Sequence, residues 1–373
     1  MIMIRNEGWR ANMIVVFTSI KDGGILQLAN QVVDTLLKLG YECKLMVPKG
    51  SMYLCADEFR GIIYEYEDEK TINIRSQYVR RLVKTIEGFS PEVFIAVDDA
   101  IRSNMVVHLL NKKIRTAVFV HDVTPHLQRF SLRNYAVEKI RCFYRRGAFS
   151  SANLVVVLSE HSKSLFCQRY RGFNDKCAVL PLGAHLIPAE IKRPPELGDD
   201  YVGNYALFFG RIDRYKGVDR LIEAYNDVCN ESDSSLSLVI AGKTVVGEVV
   251  PTSSHKKVCI INRYISDGEI QFLFEHCRFV VLPYYEASQS GVLPIAYKFG
   301  KPVIVSAIPG LQELVVKGKT GLVFSDENEL KESIRALAEP DKVLFSQDEI
   351  KELYDRHYNW NKNLARILDC IFD

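Results

Sequence analysis

Short β-branched runs alternate with longer amphipathic stretches along most of this chain. A short apolar run, a turn and an amphipathic stretch in that order are typical of the βα units of a parallel sheet. In the first half, this pattern predicts strands at 13–18, 42–47, 93–97, 116–120 and 154–158. The clearest helix covers 26–39, where apolar residues recur at helical spacing and Gly40 follows the last of them. The first half therefore predicts a doubly wound α/β domain.

A second series of the same kind follows a segment of different composition. Residues 187–202, IPAEIKRPPELGDDYV, are rich in proline and charge, have no periodicity, and predict an interdomain linker. Further strands are predicted at 205–209, 236–241, 258–261, 279–282, 303–306 and 321–324. The predicted organisation is a Rossmann-like domain at 1–186, the linker, a second Rossmann-like domain at 203–355, and a C-terminal helix in 356–373 that packs back on the first domain.

Composition agrees with a globular protein of two domains. The chain has 373 residues, long for one core, with 47% hydrophobic and 25% charged residues. No apolar run approaches the roughly 18 residues needed to span a bilayer. The first residues also lack the regions of a secretory signal, so a cytoplasmic protein is predicted.

Cysteine, histidine and charge narrow the chemistry further. The nine cysteines form no C-x-x-C pair and the eight histidines stand at no zinc-like spacing, which predicts reduced cysteines and no metal site. The formal net charge is +2, so binding to a polyanion would need a local patch, and no nucleic-acid partner is predicted.

Glycines follow the first predicted strand. Gly23 and Gly24 open a helix there, where they permit positive φ and where a helix N-terminus favours anions. A ligand loop and a plain tight turn are equally good interpretations of this pair.

Two cations follow the first strand of the second series. Gly210 and Arg211 come directly after the predicted strand, and Lys216 stands just before a helix. A planar guanidinium and a mobile ammonium group from one βα loop suit a diphosphate. An ordinary basic loop is the alternative interpretation.

The stretch from Tyr285, YEASQSGVLPIAYKFGKPVIV, combines small polar residues with an apolar run. A helix predicted to start near Ser290 and Gly291 would leave the N–H groups of Gly291, Val292 and Leu293 free to bind phosphate. Glu286 stands just before this predicted phosphate-binding helix N-terminus. The alternative is a plain capped helix.

Two further groups follow the strand predicted at 116–120. His121, Asp122 and His126 can orient a sugar hydroxyl or handle a proton, although a strand-end histidine is more often structural. A basic, aromatic, amphipathic helix comes next and suits an anionic membrane surface, at about 1 kcal/mol per basic residue, with a solvated helix face as the alternative. Its basic residues are Arg129, Arg133, Lys139, Arg141, Arg145 and Arg146.

The segments GRIDRYKGVDRLIEAY, LVIAGK and SGVLPIAYKFGKPVIVSAIPGLQELVVKGKTGLVF resemble the retaining, nucleotide-sugar-dependent glycosyltransferases of family 4 (group 1). The resemblance covers about 205–324 and is looser in the first domain. It implies the α/β GT-B fold, in which two Rossmann-like doubly wound domains face each other across a cleft, the first on the acceptor side and the second holding the donor.

The resemblance also implies roles for the residues above. In catalysis it implies His121, Arg211, Lys216 and Glu286. For donor binding it implies Gly23, Gly24, Gly210, Arg211, Lys216, Glu286, Ser290, Gly291 and Val292. On the acceptor side it implies Asp122 and His126.

The implied reaction is a retaining hexosyl transfer without a metal or cofactor, with a nucleotide-diphosphate sugar as co-substrate. The acceptor is a glycan or a lipid-linked molecule, in surface polysaccharide synthesis. The implied location is cytoplasmic, with peripheral attachment to the inner face of the membrane through the basic helix.

One family feature is missing. The family pattern has two glutamates separated by seven residues, and counting from Glu286 places the second at Pro294. Aligning instead on residues 300–304 places the pair at Ala287 and Ile295. Two alternatives therefore stand beside the enzyme: an inactive nucleotide-sugar-binding protein and a GT-B epimerase acting on the donor sugar.

Overall fold

The computed structural model describes residues 13–21, 23–51, 59–69, 73–124, 132–184, 190–198, 201, 203–231, 235–253, 255–339 and 344–372. In the helix that begins at Leu132, side chains are described from residue 136 onward. The chain forms two compact units, one from the described parts of Met1–Leu180 and Asn361–Asp373, the other from those of Pro181–Trp360.

The first unit is built on a parallel sheet. Its described strands are β1 (Ile14–Phe17), β2 (Cys43–Pro48), β3 (Ile63–Tyr66), β4 (Val93–Ala96), β5 (Arg115–Val120), β6 (Leu154–Val157) and β7 (Cys177–Val179). They lie in the order β3-β2-β1-β4-β5-β6-β7. Its helices include α1 (Gly24–Lys38), α2 (Gln77–Gly88), α3 (Ile101–Leu109), α4 (Leu132–Ser151) and α5 (Glu160–Arg169).

The second unit repeats this architecture. Its described strands are β8 (Tyr205–Phe209), β9 (Ser237–Ala241), β10 (Val258–Ile261), β11 (Phe279–Leu282), β12 (Val303–Ser306) and β13 (Gly321–Phe324). They form a parallel sheet in the order β10-β9-β8-β11-β12-β13. Its helices include α6 (Val218–Glu231), α7 (Asp267–His276), α8 (Val292–Lys298), α9 (Pro309–Gln312), α10 (Glu327–Ala338) and α11 (Gln347–His357).

Strand order locates the ligand-binding edge of each sheet. The order reverses between β1 and β4 in the first unit and between β8 and β11 in the second. In open α/β sheets, ligands bind beyond the carboxyl ends of the strands at such switch points. The residues that follow these four strands are therefore the first candidates for chemistry.

The C-terminal helix predicted in 356–373 is preceded by a separate helix that ends at His357. The helix α11 belongs to the second unit, whereas α12 (Trp360–Phe372) packs on the first. The Thr35 hydroxyl donates to the Asn361 side-chain oxygen at 2.8 Å, and the Phe372 ring stacks on Tyr41 with centroids 6.0 Å apart. Apolar residues of α12, including Leu364, are buried.

Part of the predicted linker is fixed to the second unit. The Lys192 N–H donates to the Gly268 carbonyl at 3.2 Å, and a Cβ at Gly268 would lie 2.0 Å from the Glu190 carbonyl oxygen. Glu196 pairs with Arg263 at 2.7 Å. Residues 190–198 of the predicted linker thus pack beside α7, and the two compact units divide between Leu180 and Pro181.

Candidate functional site

The loop after β8 places a lysine over a glycine. Gly210 has φ +126°, and a Cβ there would lie 3.0 Å from the Lys216 ammonium nitrogen. A side chain at Gly210 would therefore be strained in its backbone and would crowd the ammonium group. Arg211, the next residue, is exposed.

The Lys216 ammonium group is enclosed by tyrosines. It donates to the Tyr284 hydroxyl at 3.2 Å and lies 4.7 Å from the centroid of that ring. Burial lowers the pKa of Lys216, and the Arg211 charge lowers it further. Tyr215 and the Asp213 carboxylate oppose this fall in pKa, but among the described residues Lys216 forms no salt bridge.

Backbone contacts bind this loop to the one that follows β11. The Tyr285 N–H donates to the Tyr215 carbonyl at 2.7 Å. Gly217 has φ +62°, and a Cβ there would lie 2.0 Å from the Pro283 carbonyl oxygen. The two loops thus meet at the switch point between β8 and β11, and only a glycine permits this approach at 217.

Arg220, a third cation that was not singled out in the sequence, fixes the loop after β11. The Arg220 guanidinium donates at 2.8 Å to the carbonyls of Pro283 and Tyr284 and at 2.6 Å to the Ser306 hydroxyl. In the sequence, Arg220 is recognisable only as a cation in the first turn of a predicted helix. Many exposed arginines occupy such positions, so the sequence does not distinguish Arg220 from them. Arg220 positions the loop, and the aromatic residue that it positions, Tyr284, contacts Lys216.

The predicted phosphate-binding helix N-terminus is only partly as expected. The helix α8 begins at Val292 with Gly291 as its N-cap, but the Val292 N–H donates to the buried Ser290 hydroxyl at 3.2 Å. The prediction that this N–H is free is therefore wrong. Glu286 is exposed, whereas both alternative positions for the second family glutamate, Pro294 and Ile295, are buried.

An aspartate not singled out in the sequence joins the strand ends of the first unit. The buried Asp98 carboxylate accepts from the Ser19 N–H at 2.7 Å, the Ser103 hydroxyl at 2.6 Å and the Ala100 N–H at 3.0 Å. It thereby links the end of β1, the end of β4 and the start of α3. Nearby, Gly23 caps α1 with φ +78°, and a Cβ at Gly23 or Gly24 would meet nothing within 4 Å.

His121 contacts the protein backbone. Its Nε2 lies 2.8 Å from the Val97 carbonyl oxygen, which assigns the proton to Nε2. The Asp122 carbonyl accepts from Arg145 at 2.8 Å. His126 lies outside the described residues.

The basic helix does not present all its cations to solvent. Arg145 is 3% exposed and pairs with the buried Asp99 at 2.5 Å, so its inclusion in a membrane-facing patch is wrong. Burial raises the pKa of Asp99, and Arg145 opposes that rise. Arg141 lies 3.6 Å from Glu138. Arg129 lies outside the described residues, as does the side chain of Arg133.

An exposed stripe remains on α4. Lys139 and Arg146 are exposed and flank Phe143, whose side chain is 72% exposed. Residues 139, 143 and 146 are spaced to share one face of a helix. None of the described helices is long and apolar enough to cross a membrane.

Comparison with known proteins tests the resemblance. The family model described as glycosyl transferases group 1 matches residues 203–340. This match supports the resemblance over residues 203–340. The matched residues include Lys216, Arg220 and Tyr284.

Curated relatives cover part of the chain. An uncharacterized glycosyltransferase of Methanocaldococcus jannaschii is 28% identical over 43% of this chain and 45% of its own length. A GDP-mannose:glycolipid 4-beta-D-mannosyltransferase of Xanthomonas campestris is 27% identical over 33% of this chain and 36% of its own length. The chain thus spans between about a third and a half of these two relatives.

Similarity in three dimensions extends over nearly the whole chain. Anabaena HepE, solved in complex with UDP and glucose, matches 96% of this chain and 99% of its own, with a TM-score of 0.71 and 17% identity. The prediction of a GT-B fold with two Rossmann-like units is confirmed.

Proposed function

We propose that this chain is a retaining, metal-independent hexosyltransferase that moves a sugar from a nucleotide-diphosphate sugar to a glycan or lipid-linked acceptor in surface polysaccharide synthesis. The observation that carries the proposal is the half-buried Lys216 ammonium group beside Arg211, with no salt bridge among the described residues. A cation held in this way gains a counter-charge when a diphosphate binds.

The proposed chemistry follows from that charge. As the bond between the sugar C1 and the β-phosphate oxygen breaks, negative charge grows on the leaving diphosphate. Lys216 and Arg211 stabilise this charge by electrostatic interaction. The acceptor oxygen bonds to C1 on the face that the diphosphate leaves, and its proton passes to a diphosphate oxygen, which gives retention of configuration.

Substitution of the two cations tests the site. We expect Lys216→Met and Arg211→Ala each to lower acceptor-dependent release of nucleoside diphosphate by about 10²- to 10³-fold, the usual effect of removing one group that stabilises transition-state charge. Arg214→Ala is the matched control because Arg214 is an exposed arginine of the same loop. Near-normal turnover in Lys216→Met would overturn the assignment.

The donor base and the stereochemistry need separate measurements. Anabaena HepE was solved with UDP, and the Xanthomonas campestris relative is a GDP-mannose-dependent enzyme, so a panel of UDP- and GDP-sugars is the first screen. Proton NMR of the first-formed product reports its anomeric configuration. Retention with unchanged rate in EDTA supports the proposal, and inversion or loss of rate contradicts it.

A second candidate is a nucleotide-sugar-binding protein without transferase activity. Burial of both Pro294 and Ile295, where the second family glutamate would stand, favours it. Calorimetric binding of a donor without any acceptor-dependent nucleotide release would identify this case. A change in the donor sugar without acceptor would instead identify an epimerase.

Membrane attachment is proposed through the exposed stripe of α4. Phe143 supplies apolar surface, while Lys139 and Arg146 supply attraction to anionic lipid, about 1 kcal/mol each. We expect the variant Lys139→Gln, Phe143→Ser, Arg146→Gln to lose sedimentation with anionic liposomes. Lys112→Gln with Lys113→Gln is the matched control, since both lysines are exposed elsewhere. Unchanged sedimentation of the α4 variant would remove this part of the proposal.

A further inference from the structure

A cavity lies at the amino-terminal ends of the strands of the second sheet, whereas the loops of Lys216 and Tyr284 lie at the carboxyl ends. It has a volume of about 320 Å³ and is lined by residues that precede β8, β11 and β12, among them Gly203, Arg278 and Lys301. The loops that hold Lys216 follow β8 and β11. The strands are four or five residues long, so the two edges are separated by roughly 15 Å.

Lys301 is the unusual residue of this cavity. It is 8% exposed and lines the cavity, yet its side chain forms no hydrogen bond or salt bridge with a described residue. Lysine side chains are almost never this buried unless they are paired, so a bound anion would supply the missing counter-charge. The position of Lys301 is fixed by its backbone N–H, which donates to the Ala296 carbonyl at 2.9 Å.

The other lining groups do not neutralise this charge. Burial raises the pKa of Cys277 to about 12, so its thiol is neutral at physiological pH. The Arg278 guanidinium adds positive charge and is held by the carbonyls of Leu337 and Glu339 at the end of α10. The acidic lining residue, Glu275, is exposed and forms no salt bridge with Lys301 in the described part of the chain.

We propose that this cavity is a binding site for a small oxyanion, a phosphate or carboxylate group, whose oxygens contact the Lys301 ammonium group. His276 also lines the cavity: its Nδ1 lies 2.9 Å from the Phe272 carbonyl, so the neutral ring carries its proton there. The site is separate from the diphosphate-binding loops and does not depend on the proposed transfer reaction.

The test removes the diphosphate-binding cations first. In the Arg211→Met, Lys216→Met background, inorganic phosphate is titrated while the thermal midpoint is followed, with sodium chloride at matched ionic strength and sodium acetate as further arms. We expect a saturable rise of about 5 to 10 °C at phosphate 100-fold above its Kd. A rise with acetate alone would assign the site to carboxylates, and an equal rise with chloride would overturn the proposal.

A second substitution locates the effect. Adding Lys301→Met should abolish the phosphate-dependent rise and, by removing an unpaired buried charge, raise the midpoint in phosphate-free buffer. Lys317→Met, at an exposed lysine of the same unit, should retain the rise. The His276 ring resonance, assigned with His276→Gln, should shift with phosphate only when Lys301 is present. A rise that survives Lys301→Met, or an unmoved His276 resonance, would overturn the site.

Discussion

At the scale of single residues, the environment of each charge decides its role. Arg145 is buried and Lys216 half-buried; Arg145 has a buried carboxylate partner, whereas Lys216 forms no salt bridge with any described residue. A buried cation that is paired with a carboxylate stabilises the core. A cation without such a pair gains a counter-charge only when an anion binds. The difference makes Arg145 a stabilising residue and Lys216 a candidate for anion binding.

The lowered pKa of Lys216 predicts a pH dependence of nucleotide binding. Because burial lowers the folded pKa, Lys216 loses its proton below the ordinary lysine value of about 10.4. We expect the affinity for UDP or GDP to fall with rising pH through this alkaline range, where the nucleotide phosphates are already ionised. Calorimetry from pH 7 to pH 10 measures it. The decline should be absent in Lys216→Met, and the same decline in that variant would show another group to be responsible.

Lys216 also affects stability with a defined sign. Between its folded pKa and the ordinary value, the unfolded chain binds more protons than the folded chain, so this group's contribution to stability rises with pH in that window.

The buried ion pair of α4 predicts an asymmetric double-mutant cycle. Arg145→Met leaves the Asp99 carboxylate buried without its partner, and we expect a loss of about 3–5 kcal/mol in the free energy of unfolding. Asp99→Asn combined with Arg145→Met should recover most of that loss, because neither charge of the pair remains. Urea unfolding measures both. If the double variant is as unstable as the single one, packing rather than charge explains Arg145.

At the scale of elements, glycines decide how closely two loops approach. A side chain at Gly217 would overlap the Pro283 carbonyl, so Gly217→Ala should separate the loop of Lys216 from that of Tyr284. We expect an affinity for UDP or GDP reduced by about tenfold or more, equivalent to 1.4 kcal/mol or more.

Gly318→Ala is the control for this element. Gly318 has a similar positive φ, +75°, but a Cβ there would meet nothing within 4 Å. We expect Gly318→Ala to lower the free energy of unfolding by about 1–2 kcal/mol, the conformational penalty alone, and to leave the affinity for UDP or GDP unchanged. Equal effects of the two substitutions on affinity would show that the contact with Pro283 is unimportant.

Strands were predictable to the extent that they contain an apolar run. The six strands of the second unit lie within one residue of their predicted bounds because each contains such a run, even the partly exposed edge strands β10 (VCII) and β13 (GLVF). The two strands that the sequence did not predict, β3 and β7, are the edges of the first sheet. The strand β3 reads IYEY, with a glutamate inside it, and β7 has only the three residues CAV, so neither carries a clear apolar run.

At the scale of the whole molecule, the C-terminal helix is part of a core far away in sequence. Leu364 is fully buried in α12, which packs on the first unit, so Leu364→Ala should lower stability by about 2–5 kcal/mol. Hydrogen exchange should increase in α1 and β2, beside Thr35 and Tyr41, and stay unchanged in β8 and β11 because the second unit has its own core.

Arg366→Ala is the control on the same helix, since Arg366 is exposed. It should leave exchange in both units unchanged. Faster exchange in β8 and β11 after Leu364→Ala would show that the two cores unfold together.

The sequence by itself determined most strands of the two parallel sheets, because local apolar runs mark them. It also located the candidate diphosphate loop, because the two cations closely follow a predicted strand. Tertiary structure alone decided which charges are available. Lys139 and Arg145 belong to one basic helix in the sequence, yet one is exposed and the other is buried against Asp99. Nothing in the sequence around Lys301 distinguishes it from a surface lysine, yet its side chain is largely buried and lines a cavity. The free energy of a charge depends on neighbours distant in sequence, which no local pattern records.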